Sequence, residues 1–591
     1  FFEAEGIEAV AVCFLNSFAN PANEAMVAEG LARRLPGVFV CHSADVAPQI
    51  REYQRASTTT VNAYAMPISL PYLKRLSQRL AGEGIGQTAL IMLSSGGVVG
   101  AETAGRNPVR MIESGPAAGV LAACHYAEVL GLDRLMSFDM GGTTAKACLI
   151  ENRTPLVTGL FEVDRRYRFK EGSGLPVTVP SIDLIEIGAG GGSIARVDDL
   201  GLLKVGPDSA GSNPGPACYG RGGTSATVTD ADLLLGLIDA DNFLGGEMKL
   251  DLAATEAALG RLGAELGITA VQAARGIYRV VTEAMANAAR SHATDRGVDY
   301  RGLPLFAFGG AGALHACGVA ELLQSSSVIV PPQSSVLSAF GTLVTPVRLD
   351  LVRSDLVRLD TVDWARIDDI LGALEQEGRA ALGEAGCAEA DVRVKIGADM
   401  RYSGQQNEVT VTFAADPRAT RDVRLLAEAF EREYRVLYGV NPSHVPVEIV
   451  TWRVVVEGPQ IRFHAADRPA VAPGKPATVE GKFNATATLD GEGANLDELI
   501  GRTRGKATLT SKGGRFRAIS ADLSDKVQKG SSTVAAIGGL IGAVTGKSQA
   551  SEYANKTQVA ADIAKALSDI AYDQLNVAVT RDAQLNFNVQ D

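Results

Sequence analysis

The sequence predicts an α/β protein with mixed sheets and flanking helices, followed by an antiparallel β-rich segment at its C-terminal end. Residues 9–15 (AVAVCFL) read as a buried strand, residues 20–35 as an amphipathic helix and residues 38–40 as a second strand, which is a βαβ pattern. Further along, apolar strands run into glycine turns at residues 135–142 and 305–312. From about residue 478 the apolar and polar residues alternate with period two, which is typical of antiparallel sheet.

Composition narrows the class of protein. The chain has 591 residues, of which 46% are hydrophobic and 21% charged, and this is typical of a globular protein of several domains. A net charge of -12 and the absence of a convincing basic patch argue against nucleic-acid binding. Seven scattered cysteines without a CxxC pair argue against disulfides and zinc ribbons, and they favour the reducing cytoplasm.

The remaining elements follow from periodicity and from helix-stop residues. Residues 51–80 are predicted to be helical but broken by Pro67 and Pro71, because proline removes a helix hydrogen bond. Ser114, in the run ESGPAAGV, is either the N-cap of an apolar helix over residues 117–130 or a ligand contact, and the residues favour the two equally. Other expected helices cover residues 251–262, 270–296, 363–385, 425–437 and a stretch near 560–570, and other expected strands cover residues 89–93, 328–330, 393–413 and 447–457.

The run FDMGGTTAKACLI, residues 138–150, reads as a strand, a turn and a second strand. Gly141 and Gly142 can turn their N–H groups toward anionic oxygens, and Thr143 and Thr144 can donate further hydrogen bonds. An acid such as Asp139 is useful beside phosphate if it holds Mg²⁺ or orients a water molecule. The alternative is a β-hairpin with a tight Gly-Gly turn, and the residues alone leave both open.

A second motif, FAFGGAGALHA at residues 306–316, runs from a buried strand through Gly309, Gly310 and Gly312 into an apolar helix. A helix N-terminus offers free N–H groups, which suit the sugar and phosphate of a nucleotide. A tight strand-to-helix turn without a ligand is the alternative. His315, one turn inside that helix, is expected to pack rather than to react.

Residues 187–195 (IGAGGGSIA) and 205–223 are too rich in glycine and proline to build a core. They form either a mobile loop or a backbone that wraps a ligand, and the ordered runs on each side favour the ligand. Asp230 is placed where a helix is capped, so capping is its expected role. The polar run REYQRASTTTVNAY, residues 51–64, forms either a polar helix face or a substrate contact.

The order of these motifs resembles that of the hydantoinase A / 5-oxoprolinase family, which includes N-methylhydantoinases and the ATP-using subunits of acetone-type carboxylases. The resemblance rests on SSGGVV, SGPAAGV, DMGGTTAK, IGAGGGSIA and FGGAGALHA in that order. It implies RNase H-like domains of the actin-like ATPase superfamily, with Asp139 as the catalytic and metal-binding residue for Mg²⁺ or Mn²⁺. It also implies that ATP is bound by these residues: Gly141, Gly142, Thr143, Thr144, Lys146, Gly190, Gly191, Gly192, Ser193, Gly309, Gly310, Ala311 and Gly312.

The activity implied by this resemblance is ATP-dependent opening of a five-membered cyclic amide, such as a hydantoin or 5-oxoproline, through a phosphorylated intermediate. The partner implied is a second subunit of hydantoinase B type. Carboxylation of a ketone with the same ATP chemistry is the first alternative. The family also has an earlier phosphate loop of DxGGT type, whereas DxGGT occurs once here. We therefore expect a chain that lacks the early N-terminal region and is nearly inactive alone.

The tail departs from this family. The run NLDELIGRTRGKATLTSKGG resembles AsmA-like envelope proteins, which form long β structures and act in lipid transport. This predicts a fusion or an assembly artefact, with membrane contact only if the tail is genuine; an envelope lipid-handling protein is the second alternative. The predicted domains are residues 1–130 and 131–350 of the hydantoinase region, a C-terminal α+β domain at 351–468, a linker at 469–477 and the tail at 478–591.

Overall fold

A computed structural model describes residues 2–166, 172–442 and 444–459 with their side chains, and beyond these the backbone of four further strands. The chain divides into two compact units, Phe1–Phe463 and His464–Asp591. None of the helices among the described residues is both long enough and apolar enough to cross a bilayer.

The first unit begins with the expected βαβ arrangement. Strands β1 and β2 pair in parallel, with Ala9 opposite Phe39, and α1 connects them. Helix α3 then runs unbroken through Pro67 and Pro71, so the predicted break is wrong. Burial of one face of this long helix, including Ala63 and Met66, stabilises it despite the missing N–H groups. The bounds are β1 Ala9–Val12, α1 Ala22–Arg34, β2 Phe39–His42, α2 Ser43–Val46 and α3 Glu52–Gly82.

A short antiparallel hairpin and a buried helix follow. The hairpin joins β3 to β4, and an apolar helix, α5, carries the residues predicted to follow a cap at Ser114. That prediction is wrong by one position, because Ser114 is the first helical residue and Glu113 occupies the cap position. The bounds are β3 Leu90–Met92, β4 Val98–Gly100, α4 Ala101–Arg106 and α5 Ser114–Leu130.

The centre of the first unit is a mixed sheet between two layers of helices. Its strands and helices, with the small strands around them, are β5 Arg134–Met140, β6 Ala145–Glu151, β7 Thr154–Pro155, β8 Val157–Thr158, β9 Phe161–Val163, β10 Leu175–Val177, β11 Ser181–Ile182, β12 Ile185–Ile187, β13 Ser193–Val197, β14 Leu203–Ser209, α6 Val228–Leu234, α7 Leu252–Leu266, α8 Ala270–Thr294, β15 Leu305–Phe308, α9 Gly312–Leu323, β16 Val328–Ile329 and α10 Leu337–Val344.

The order across this sheet is β12, β6, β5, β15 and β16, with β7 added beside β6. Strand β5 is antiparallel to β6 and parallel to β15, and β16 continues the parallel part. Helices α8 and α9 pack against one face, whereas α5, itself packed against α10, covers the other. The predicted α/β class with mixed sheets and flanking helices is confirmed.

An antiparallel sheet ends the first unit. Its order is β17, β20, β18 and β19, and helix α11 packs on it over a core that includes the buried Trp452. The strands predicted at residues 393–413 and 447–457 and the helices predicted at 363–385 and 425–437 are confirmed. The bounds are β17 Arg348–Arg358, α11 Trp364–Glu384, β18 Arg393–Tyr402, β19 Val409–Thr412, α12 Pro417–Thr420, α13 Val423–Tyr438 and β20 Val447–Glu457.

The second unit contains an antiparallel sheet in the order β21, β22, β23 and β24, as the period-two alternation predicts. The predicted linker at residues 469–477 and the body of the helix predicted near 560–570 lie outside the described residues. The domain limits stay predictions. The bounds of the four strands are β21 Val479–Asp490, β22 Arg504–Phe516, β23 Ile570–Arg581 and β24 Phe587–Gln590.

Candidate functional site

The bend between β5 and β6 is the tight turn that its sequence predicts. The Gly141 N–H donates to the Thr144 carbonyl at 3.0 Å and closes the turn. Gly142 and Thr143, at its tip, are exposed, whereas Gly141 and Thr144 are half-buried. The tip of the turn is therefore open to solvent.

The glycine-rich segment at residues 190–193 lies directly beneath this bend. The Gly191 N–H donates to the Gly141 carbonyl at 3.1 Å, and the Gly192 N–H donates to the Gly142 carbonyl at 2.6 Å. A Cβ at Gly190 would stand 2.6 Å from main-chain atoms of Gly142 and Thr143, so a side chain there would push the loops apart. The lack of side chains is what lets the two backbones touch.

The third predicted segment reaches the same corner from β15. Phe308 pairs in register with Asp139, and the Ala311 N–H donates to the Met140 carbonyl at 2.9 Å. Gly309 has φ +90°, and a Cβ there would overlap the Asp139 carboxylate and the Met140 carbonyl, so glycine is required. Gly310 is exposed, and helix α9 begins two residues later at Gly312.

The structure thus brings together all three predicted segments at the carboxyl ends of β5 and β15. Crevices at the carboxyl ends of parallel strands are the usual ligand sites of α/β sheets. Here the exposed Gly142–Thr143 tip and the start of helix α9 lie at this edge, and a helix N-terminus favours anionic oxygens.

Three charged side chains form one row across the sheet. Glu186 lies opposite Lys146 in the β12–β6 ladder, and Lys146 lies opposite Asp139 in the β6–β5 ladder. Residues directly opposite one another share a face of the sheet, here the face that α5 covers. The Lys146 ammonium is 2.8 Å from a Glu186 carboxylate oxygen, and it also donates to the Thr144 hydroxyl.

Asp139 is the half-buried acid at the β5 end of this row, with Lys146 between it and Glu186. Burial raises the pKa of its carboxyl to about 6, and the positive charge of Lys146 acts in the opposite direction. The described residues contain no group of three or more His, Cys, Asp or Glu side chains able to hold a metal ion. A metal at Asp139 would therefore complete its shell with phosphate oxygens and water, which is the usual way that Mg²⁺ is bound.

Glu113 is a residue that sequence reasoning missed. It precedes α5 in a left-handed conformation, φ 62°, and its carboxyl hydrogen-bonds that of Glu186. Burial first, and then the negative charge of Glu186, raise the pKa of Glu113 to about 7, although Lys146 opposes the shift. Glu113 therefore places a second carboxyl beside Glu186, at one end of the charged row. The signal in the sequence was an acid placed directly before the SGPAAG helix start.

Two other predicted residues have structural roles. His315 is fully buried, with Nε2 3.2 Å from Asp232 Oδ2 and the ring stacked on Tyr278, so it packs as expected. Asp230 forms a capping box with Thr227 at the start of α6 and also accepts the Cys218 N–H at 2.8 Å. Capping, rather than contact with a ligand, is thus its role.

One face of the polar run at residues 51–64 is buried, whereas Tyr53 and Tyr64 are exposed. Arg55, Thr58, Thr59 and Asn62 follow one face of α3 and are at most 1% exposed. The Arg55 guanidinium donates to the Phe14 carbonyl, which ties α3 to the loop after β1. These side chains therefore form a buried polar layer rather than a solvated helix face.

Comparison with known proteins identifies relatives of similar sequence. The chain is 38% identical over 454 residues to an uncharacterized protein of Methanocaldococcus jannaschii, covering 76% of this chain and 65% of that one. It is 35% identical over 456 residues to caprolactamase subunit alpha of Pseudomonas jessenii, covering 76% and 64%. The chain thus spans just under two thirds of these relatives.

Two solved structures are similar as well. Nucleotide-free acetone carboxylase gives a TM-score of 0.65 at 26% identity, and ATP-dependent caprolactamase from Pseudomonas jessenii gives 0.63 at 33% identity. Each match covers 81% of this chain and 68% of the other. The hydantoinase/oxoprolinase family model matches residues 55–350, and the model of its C-terminal domain matches residues 360–450. This chain belongs to the hydantoinase/oxoprolinase family.

Proposed function

We propose that this chain is the ATP-binding part of an enzyme that opens a five-membered cyclic amide. The observation that carries the proposal is the meeting of the three glycine segments beside Asp139 at one end of the central sheet. Similarity to an ATP-dependent caprolactamase supports it. ATP, when bound, would supply a phosphoryl group that activates the amide oxygen as a leaving group.

Each part of the site has a task in this proposal. The exposed Gly142–Thr143 tip and the Gly310 corner would bind phosphate and nucleoside through main-chain N–H groups. Asp139 fits a Mg²⁺ or Mn²⁺ role, because its carboxylate accepts no hydrogen bond from the residues that the structure describes. Lys146 lies opposite Asp139 and beside Glu186. It would balance the negative charge of the phosphate and hold the Thr144 hydroxyl in place.

Glu113 would serve as the proton acceptor. An amide whose oxygen is activated must lose its N–H proton, so a carboxylate near the phosphate end has chemical use. The Glu113–Glu186 pair can take up that proton near neutral pH, since the pKa of Glu113 is about 7. The same proton can later return to the amine when the ring C–N bond breaks.

A substrate panel tests this proposal. The chain, with a hydantoinase B-type subunit as its proposed partner, would be assayed for ADP release with hydantoin, N-methylhydantoin, 5-oxoproline and caprolactam. We expect one five-membered cyclic amide to stimulate ADP release, and Asp139→Asn to abolish the stimulation. Stimulation that survives Asp139→Asn would contradict the assignment of the site.

Ketone carboxylation is the second candidate, because acetone carboxylase has the same fold over most of this chain. Both reactions would use the same nucleotide site, and the substrate differs. ADP release that requires acetone together with bicarbonate, and that no cyclic amide supports, would favour this candidate.

A further inference from the structure

A cavity lies away from the glycine segments, between α4, β4, β17 and α11. Its volume is about 240 Å³, and its lining contains no residue of the three glycine segments. Leu93, Val99 and Leu349 contribute apolar surface to the lining, and Asn107 and Arg110 are among its polar residues. At about 30 Å³ per water, the space holds roughly eight waters or one small organic molecule.

Two buried polar atoms in this lining have no hydrogen-bond partner among the described residues. They are the side-chain oxygen of Asn107 and the Nε of Arg110. Both atoms have almost no accessible surface, so they belong to side chains packed behind the lining and are not themselves open to the cavity. Buried polar atoms are nearly always satisfied in native proteins, by protein, water or ligand.

Charges of both signs also line the cavity. Arg110 supplies a cation, whereas Glu377 and Glu384 on α11 supply carboxylates. Glu384 is fixed in place, because it accepts the Thr103 hydroxyl at 2.6 Å and the Glu102 N–H at 3.1 Å. An anion without a positive group would be repelled by these carboxylates, and a cation without a negative group would be repelled by the guanidinium.

We propose that this cavity binds a small zwitterionic amino acid. Its carboxylate meets the Arg110 guanidinium, its ammonium group meets the α11 carboxylates, and its aliphatic spacer lies on the apolar part of the lining. Opening a cyclic amide leaves an amine and a carboxylate on one aliphatic chain, so the product of the reaction belongs to this class. That last link rests on the proposed function, whereas the binding itself rests on the cavity.

Calorimetric titration of the whole chain tests the proposal, with glutamate and 6-aminohexanoate as zwitterions and hexanoate and hexylamine as singly charged probes. We expect saturable binding of a zwitterion and at least tenfold weaker binding of both singly charged probes. Arg110→Gln should weaken binding by about tenfold. Glu377→Gln, at an exposed residue of the lining, should weaken it as well. Asp139→Asn, which alters the other site, should leave the affinity unchanged.

Three results would overturn the proposal: no saturation by about 10 mM of either zwitterion, equal binding of hexanoate, or an affinity that neither Arg110→Gln nor Glu377→Gln lowers. The outcome is separable from that of the substrate panel. If a zwitterion binds in an Arg110-dependent way but no cyclic amide is turned over, the binding site is supported and the idea that it takes the reaction product is refuted. Turnover without zwitterion binding removes the site and leaves the proposed function standing.

Discussion

Replacing Glu113 by glutamine should make the protein more stable at alkaline pH. The ordinary pKa of a glutamate is 4.5, and burial beside Glu186 raises that of Glu113 to about 7. The folded state therefore binds more protons than the unfolded state between these values, and its stability falls as pH rises through that window. Glutamine keeps a hydrogen bond to Glu186 and has no charge to lose, so the variant escapes this fall.

The size of the effect follows from the same shift. At 1.36 kcal/mol per pKa unit, the interval from 4.5 to about 7 corresponds to about 3 kcal/mol. Glu113 is only partly buried, and solvent screening reduces this to about 1–2 kcal/mol. Because the entropy of unfolding grows with chain length, for a unit of this size we expect a Tm rise of about 1–2 °C above pH 8 and almost none near pH 4.5.

Thermal unfolding of wild type, Glu113→Gln and Glu128→Gln across this pH range measures the effect. Glu128 is an exposed residue of the same helix and serves as the matched control. If the Tm difference between Glu113→Gln and wild type does not grow with pH, or grows equally for Glu128→Gln, the surroundings of Glu113 do not raise its pKa. Since Glu113 is the proposed proton acceptor, the stabilised variant should also lose substrate-stimulated ADP release, a trade of activity for stability.

Other substitutions test the geometry of the site. Gly309→Ala should destabilise the protein by about 1–3 kcal/mol and abolish ATP binding in a titration, because a Cβ at φ +90° overlaps the Asp139 carboxylate. Gly310→Ala is the control for folding. A Cβ there has nothing within 4 Å, so this variant should fold as the wild type does. Lys146→Met should move the pH midpoint of metal-dependent ATP binding upward from about 6, because Lys146 holds the pKa of Asp139 down, and an unchanged midpoint would refute the coupling. Thr227→Ala removes the α6 capping box and should lower stability by about 1 kcal/mol in thermal unfolding without changing that midpoint.

Local pattern was enough to predict the elements of the site. The apolar strand, the paired glycines and the second apolar run of residues 138–150 define the β5–β6 hairpin, and residues 305–308 form strand β15 as their sequence indicates. Both patterns depend on residues adjacent in the chain, and their physical causes are burial of strands and the backbone freedom of glycine.

Non-local features were not predictable in this way. The role of Glu113 depends on Glu186 and Lys146, which are brought beside it only when β12, β6 and α5 have packed together. The continuity of α3 through Pro67 and Pro71 depends on what its inner face is buried against, and propensity alone predicts a break. Pairing of β5 with β15, which creates the corner, joins segments far apart in the sequence.

The contact between Gly190 and the Gly142–Thr143 tip involves backbone only. The surface there is set by the path of the main chain, so exchanging the exposed Thr143 side chain should leave this contact intact. If the tip binds a nucleotide as proposed, we expect the choice of substrate to depend on side chains elsewhere, as the similarity to structures named for a lactamase and for a ketone carboxylase would require.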